Sequence, residues 1–511
     1  MVPLLWWCLA VASPFAVDSR THKPEATPIP YIMHKCRISH IRIATPFTTF
    51  LKDKGFEYTN PDIVDGRPLY QKDIMLTPQQ WQALRERKAI ADLTYRWPAG
   101  PDGFPLVPYV TSIYVLYIIP SVDVAAVKAG LKHWTDNTCI KFKLTTNTNQ
   151  PHLRFILGNG CWSYIGRIYY WNGQDISIGN GCNGVGTVAH EVGHAMGFYH
   201  EQSRPERDSF VRIISANIIS GMESNFNKYS AAQINNYSVP YDYTSVMHYG
   251  STYLSKNGKL TISTIDPLAQ GLIGQRSGLS HRDKLLANRM YGCIDKWLAA
   301  CKLSSDPCKN GGYLGVKCGC VCPPGTSGSK CQTITGGYYD NKFPKCSKTI
   351  TKAGVITSPN YPNNYPAGSR CTYVIKAPKC YYARLTFSSF KLYGRNPYCN
   401  NVPCCYFDFL EIRTTNTVSG DVFCASDISA GRVFTASVNP LILYFNTESN
   451  FYKGWSATVS FAMIPGCRLF GRKRGSSSVM SSVFFSTVSP TEGEESIEED
   501  GVSQMEESQE N

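Results

Sequence analysis

Residues 186–208 constrain this chain more than any other stretch: Gly-Thr-Val-Ala-His-Glu-Val-Gly-His-Ala-Met-Gly-Phe-Tyr-His-Glu-Gln-Ser-Arg-Pro-Glu-Arg-Asp. His190 and His194 are four apart, so on a helix both imidazoles project from one face and can grip a single metal ion. Glu191, between them, is badly placed to ligate from the same turn but well placed to reach a water on that metal. Gly197 permits the left-handed turn that ends the helix and lets the chain return with His200. Three neutral imidazoles leave the fourth position of a tetrahedral zinc open, which separates a reactive site from a closed structural one. Ordinary helix histidines beside a surface glutamate would account for a bare H-E-x-x-H. They do not account for the longer H-E-x-x-H-x-x-G-x-x-H.

A second element strengthens the reading. Ser245-Val246-Met247-His248-Tyr249 supplies the downstream methionine turn that accompanies the long zinc motif in metzincins. Glu201 after the third histidine, together with Ser-x-Met-His-Tyr, resembles the astacin branch of that group. Gly160-Cys161-Trp162-Ser163-Tyr164-Ile165-Gly166-Arg167 and Gly181-Cys182 are similar to astacin segments as well. The resemblance runs from about Asp92 to Cys293. It implies an α+β, two-lobed catalytic domain: an upper lobe of twisted sheet and helices floored by the zinc helix, a second lobe after Gly197, and a substrate cleft between them. It also implies zinc on His190, His194 and His200, Glu191 as general base, Met247 as a structural residue, and Tyr249 as a tyrosine that supports the oxyanion. The disulfides it implies are Cys139–Cys293 and Cys161–Cys182.

The rest of the chain is modular. Twenty cysteines in 511 residues, clustered in successive modules, indicate an oxidising compartment. Residues 1–19 read as a signal peptide, too short to span a bilayer, and no later run is long and apolar enough for a transmembrane helix. A secreted, extracellular protein is expected. Residues 20–87 resemble a propeptide. Within it, Leu69-Tyr70-Gln71-Lys72-Asp73-Ile74 is similar to the astacin latency segment, with Lys72 in place of that segment's glycine. By that resemblance Asp73 takes the open metal position in the latent form, since a carboxylate is a competent zinc ligand. Cys36, in His-Lys-Cys-Arg-Ile, lacks the context of a thiolate switch. Arg85-Glu86-Arg87-Lys88 is a basic cluster, and alignment on Trp97 places cleavage after Arg87. The astacin resemblance further implies that the freed N-terminus approaches Glu201, where a buried ammonium and carboxylate would each need the other.

The peptidase domain is expected over 88–295. Tyr109–Ile119 reads as a buried strand, Ser121–Thr135 as a helix and His152–Ile156 as another strand. Six cysteines between Cys301 and Cys331 are too closely spaced for a core without covalent staples, and residues 297–332 resemble an EGF-like module. No histidine lies among them, which argues against a zinc knuckle. Residues 346–462 resemble a CUB domain, an all-β sandwich, through Ser358-Pro359-Asn360-Tyr361-Pro362 and Phe451-Tyr452-Lys453-Gly454-Trp455. That likeness implies Cys346–Cys371 and Cys405–Cys424 and leaves Cys380, Cys399, Cys404 and Cys467 unassigned. Some CUB domains hold calcium with a glutamate and paired aspartates. Asp408 is present, but Tyr393 stands where the glutamate belongs, which argues against calcium here. Asn236 is an N-glycosylation candidate.

Residues 468–511 are serine-rich, then acidic, and expected to be disordered. Nine acidic residues and no Lys or Arg fall in 475–511, so removing them takes the rest of the chain from +13 to +22. A basic body suits anionic matrix polysaccharide or acidic substrates, and nothing suggests nucleic acid. The expected activity is hydrolysis of internal peptide bonds in extracellular proteins. The competing expectation is a catalytically silent adhesion or scaffold protein acting through its EGF-like and CUB modules.

Overall fold

The computed structural model describes residues 63–64, 67–85, 93–111, 122–231, 233–399 and 402–467. The expected signal peptide, Cys36, the basic cleavage cluster from residue 86 onward and the acidic tail lie outside them.

An eight-stranded sheet forms the upper lobe. Its strands are β1 (Ile63–Val64), β2 (Arg67–Tyr70), β3 (Ile74–Met75), β4 (Leu106–Thr111), β5 (Lys141–Leu144), β6 (Leu153–Ile156), β7 (Cys161–Tyr164) and β8 (Gln174–Ile178), in the order β1-β2-β3-β7-β8-β6-β4-β5. β4 pairs parallel with β5 and β6, β6 parallel with β8, and β7 runs antiparallel to β8. The strand expected from Tyr109 starts earlier, at Leu106, and residues 112–121 lie outside the described set. β4 alternates half-buried and buried residues along its length, the pattern of a strand with one face on the core.

Among the described residues the helices are α1 (Pro78–Arg85), α2 (Val124–Asn137), α3 (Val185–Ala195), α4 (His281–Met290) and α5 (Cys293–Ala300). Asp123 sets the start of α2 by accepting the Ala126 N–H at 3.0 Å. α3 packs tightly on α2 through Gly130, where a Cβ would sit 2.4 Å from Val188 Cγ1. Trp134 spans the same contact and donates its indole N–H to the Ala189 carbonyl at 2.9 Å, while Trp97 donates to Ala195 at 2.9 Å. These bonds fix both the depth and the rotation of α3, whose His190, Glu191 and His194 are all buried. Gly197, at φ 97°, turns the chain out of the helix in the left-handed region that glycine tolerates without penalty.

The second lobe is built on 3₁₀ turns and a small core of Val211, Ile218, Phe226, Tyr241, Tyr249 and Ile262. Disulfides join Cys139 to Cys293 and Cys161 to Cys182. Beyond α5, Cys301–Cys318, Cys308–Cys320 and Cys322–Cys331 staple a short segment with two small hairpins. Residues 348–463 then form a β-sandwich. One sheet has five strands in the order 348–350, 370–375, 441–446, 409–413, 421–423, and the other has four in the order 354–357, 454–463, 381–391, 433–435. Its disulfides are Cys346–Cys371, Cys405–Cys424 and Cys380–Cys467. Cys404 is also disulfide-bonded.

The segment 67–85 adds to the core: Leu69, Ile74, Met75, Leu76 and Trp81 are all buried. β3 adds to the edge of β7 in parallel register, Ile74 opposite Ser163 and Met75 opposite Tyr164. Val64, Leu69 and Met75 share a cluster with Trp162, Tyr164 and Ile168. The alternating apolar run is short, so its burial is decided by the open sheet edge it meets.

The Cys139–Cys293 bond ties α5 back to the loop after α2 across 154 positions. Replacing both cysteines with serine is expected to lower the unfolding free energy by about 5 kcal/mol on loop-closure grounds, read from the guanidinium midpoint under non-reducing conditions. A loss below about 1 kcal/mol would show that packing alone holds the two segments.

Candidate metal centre and cleft

Each of the three histidines has one ring nitrogen committed. His190 Nδ1 faces the Val246 carbonyl at 2.8 Å, and His194 Nδ1 faces the Phe198 carbonyl at 2.7 Å. His200 Nδ1 lies 2.9 Å from Gln71 Oε1. A carbonyl oxygen only accepts, so these Nδ1 atoms carry the proton and each Nε2 presents a lone pair. Burial pushes His190 down to about 4 and His194 well below its ordinary value, so both rings are neutral.

The three Nε2 atoms converge on one carboxylate, that of Asp73. His190 Nε2 is 3.2 Å from Oδ2, His200 Nε2 is 3.1 Å from Oδ1, and His194 Nε2 is 3.7 Å from Oδ1. The four ligand atoms lie within 4.8 Å of one another. Lone pairs facing an ionised carboxylate at this range, with no proton between, repel. His194 Nε2, Asp73 Oδ1 and Glu191 Oε2 are in addition buried without a hydrogen-bond partner, a costly state for polar atoms. A divalent cation among them removes both penalties. The donor set, three imidazole nitrogens and a carboxylate oxygen, is one that zinc takes.

Neighbouring groups hold this cradle in place. Val246 N–H and Ser245 Oγ both donate to the Asp283 carboxylate, at 2.9 and 2.7 Å, which anchors the methionine turn to α4. Met247 lies beneath α3, where a Cβ on Gly193 would come within 2.9 Å of its sulfur. Glu201 is buried, accepting from the Asp242 N–H at 2.7 Å and pairing with Arg204 at 3.0 Å. Glu191 projects beside the cradle. Its carboxyl is pushed well up, first by burial and then by the negative charge of Asp73, with Arg276 opposing.

The sequence pattern missed two residues. Gln71 is fully buried; its side chain meets His200, donates to Ser203 Oγ at 2.9 Å and accepts from the Tyr229 hydroxyl at 3.1 Å. Its carbonyl accepts from the Tyr249 hydroxyl at 2.5 Å. Gln71 and Lys72 both take left-handed backbone, φ 47° and 73°, so the turn survives without the glycine of the latency segment, at a cost of roughly 1–2 kcal/mol per residue. Arg276 lines the groove with Glu191 and pairs with no carboxylate among the described residues; its guanidinium donates to the His248 and Gln275 carbonyls at 3.1 and 2.9 Å. A polar side chain on a loop carries no periodicity, and only the sign of Arg276 was readable in advance. Asp408, in the sandwich, accepts from the Tyr365 hydroxyl at 2.7 Å and from the Glu448 and Ser449 N–H groups at 2.7 and 3.0 Å.

Fold and site together define a two-lobed hydrolase-like domain with a three-histidine metal cradle at the base of its cleft, followed by a β-sandwich. The Astacin (Peptidase family M12A) family model matches residues 108–292, and the CUB domain model matches 346–459. Blastula protease 10 of Paracentrotus lividus is 35% identical over 416 residues, covering 77% of this chain and 65% of that protein. Protein SpAN of Strongylocentrotus purpuratus is 36% identical over 421 residues, covering 78% and 64%. Zinc metalloproteinase dpy-31 of Brugia malayi is 32% identical over 432 residues, covering 81% and 68%. The chain thus spans just under two thirds of the length of the first two, 65% and 64%. It belongs to the astacin family.

Zinc analysis checks the cradle. The purified chain is expected to hold one zinc, and His190→Ala/His194→Ala to lose it on dialysis while keeping its far-ultraviolet circular dichroism. Stoichiometric zinc in that variant would place the metal elsewhere.

Proposed function

We propose that this chain is a secreted zinc endopeptidase made as a latent zymogen, which hydrolyses internal peptide bonds of extracellular proteins. The observation that carries the reading is the convergence of three imidazole Nε2 atoms and Glu191 at the base of a groove of about 720 Å³, with Asp73 laid across them. The relatives named as zinc metalloproteinases and the absence of any helix long and apolar enough to cross a membrane among the described residues support it. The domain succession proposed is a signal peptide over 1–19, a propeptide over 20–87, the peptidase domain over 88–295, an EGF-like module over 297–332, a CUB domain over 346–462 and a tail over 468–511. The pairing of first with third, second with fourth and fifth with sixth cysteine supports the EGF-like assignment.

His190, His194 and His200 would hold one zinc, with Asp73 as a fourth ligand in the latent form only. Bound there, zinc supplies a Lewis acid that polarises a carbonyl and makes a water acidic near neutral pH. Glu191 takes the proton of the attacking water and passes it to the departing amine. Burial and the nearby Asp73 charge raise its proton affinity, which favours its holding the proton between the two transfers. Removing Asp73 from the site deletes the like charge that raises Glu191 further. Tyr249 donates to the Gln71 carbonyl in the latent form, and once the propeptide leaves the same hydroxyl would donate to the oxygen of a scissile carbonyl. The prosegment pairs with β7 as an added strand, and a substrate chain would use the same edge.

Two variants test this reading. Glu191→Gln in the activated enzyme is expected to keep zinc and lose about 10³-fold in kcat, within the range that general acid–base catalysis commonly contributes; turnover within tenfold of wild type would remove it as the base. Asp73→Ala is expected to give the uncleaved chain measurable peptidase activity, read before and after trypsin-like activation. Unchanged latency would assign inhibition to the remainder of the prosegment.

A further inference from the structure

We propose that the CUB domain completes the substrate groove of the peptidase domain, offering an aromatic track to apolar and aromatic side chains of an extended polypeptide remote from the scissile bond. The proposal rests on the endopeptidase reading for its substrate and deepens it.

The groove that contains His190 and Glu191 does not end within the peptidase domain. Its wall passes along Thr252–Ser255 and reaches Tyr406 of the sandwich. Within the peptidase domain the Tyr253 ring lies 4.3 Å from that of Tyr249. On the sandwich side, Tyr406 lies 5.3 Å from Phe407, Phe407 is 5.9 Å from Tyr393, and Tyr393 is 6.5 Å from Phe451. These rings are not all packed away: Tyr406 is 44% exposed and Phe451 is 68% exposed. A large apolar ring held in water beside a functional groove marks a contact surface. Tyr393 belongs to this row instead of providing the carboxylate that calcium would need at its position.

The two domains are seated firmly enough for one to complete a site on the other. A Cβ on Gly258 would come within 2.7 Å of the Cys405 carbonyl, so the loop behind Tyr253 and the segment leading to Tyr406 meet backbone to backbone. Leu260 packs in one cluster with Cys405, Phe409, Cys424 and Tyr444. Arg413, fully buried and paired with Glu411 at 2.9 Å, reaches Ser263 Oγ at 3.2 Å and Gln270 Oε1 at 3.3 Å. A charge buried this way holds its partners because leaving any of them unpaired is costly. The groove is already used by a peptide of this chain: Val64, Leu69 and Asp73 of the prosegment line it. That, and its continuity with the cleft, commits the occupant to polypeptide.

The experiment uses the full activated chain and two fluorogenic peptides sharing one scissile sequence. One extends about two residues to each side and the other about ten, with phenylalanine and leucine in the extensions. The quantity read is the ratio of kcat/KM, long over short. Tyr406→Ala and Phe451→Ala are each expected to lower that ratio about 5-fold, mainly through KM of the long peptide, within the range of truncating a buried interface aromatic. Tyr406→Phe is expected to restore it. Anisotropy of the labelled long peptide on the Glu191→Gln chain gives binding without turnover, and Tyr406→Ala in that background is expected to weaken it by a similar factor. If no peptide is cut but this binding still depends on Tyr406, the endopeptidase reading falls and the track stands. Unchanged ratios and unchanged binding overturn the track. So does a loss confined to retention on insoluble polysaccharide, which would assign the rings to a carbohydrate.

Discussion

The structure depends on a repulsion that only a cation relieves. Three imidazoles have their Nδ1 protons committed, two to backbone carbonyls and one to the Gln71 side chain, so three lone pairs point at one place. Burial keeps His190 and His194 neutral. Much of the peptidase domain can be read as the apparatus that holds those rings against their mutual repulsion. Trp134 and Trp97 set the helix, Asp283 pins the turn that supplies the Val246 carbonyl, and Gly197 brings His200 round. A metal turns the cost of this arrangement into binding energy, which is why the site needs no fourth strong ligand from the peptidase domain itself.

The proposed latency would use the same chemistry with a second layer of control. Asp73 reaches the metal position, but a lone carboxylate on a mobile loop would be a weak inhibitor. What holds it is a strand pairing with β7, a buried Gln71 that engages His200, Ser203, Tyr229 and Tyr249, and the seating of Leu69 and Met75 against Trp162 and Tyr164. Against these contacts stands the left-handed backbone at Gln71 and Lys72. The balance is a segment bound by many modest contacts and strained at the turn.

The legible part of the site is the part that is local in sequence. Four-residue spacing puts His190 and His194 on one face, and a glycine three residues later ends the helix, so no tertiary knowledge is needed. The helix Val124–Asn137 was readable from its apolar spacing as Ser121–Thr135, while its start is set by the cap at Asp123. Gln71 was not, because its importance comes from bonds to residues 129 to 178 positions away. The prosegment strands were hidden for a related reason. Two-residue strands such as Ile74–Met75 exist only because an unpaired edge of β7 receives them. Cysteine pairing in the sandwich was readable only as far as the family resemblance reached, and Cys380–Cys467, spanning 87 positions, lay beyond it.

The domain junction carries an argument of its own. A sandwich tethered by a flexible linker would leave its contacting surfaces polar and its charges solvated. Here Leu260 enters the sandwich-side cluster and Arg413 is buried, reaching across to Ser263 and Gln270. Gln270 in turn bonds the Thr264 N–H and the Ile262 carbonyl, both at 3.0 Å, which fixes the strand that closes the second lobe. The loop Ser251–Leu260 thus has the groove on one side and the sandwich on the other. Its shape is set jointly by the two domains, and a change in how the sandwich sits is a change in the wall of the cleft.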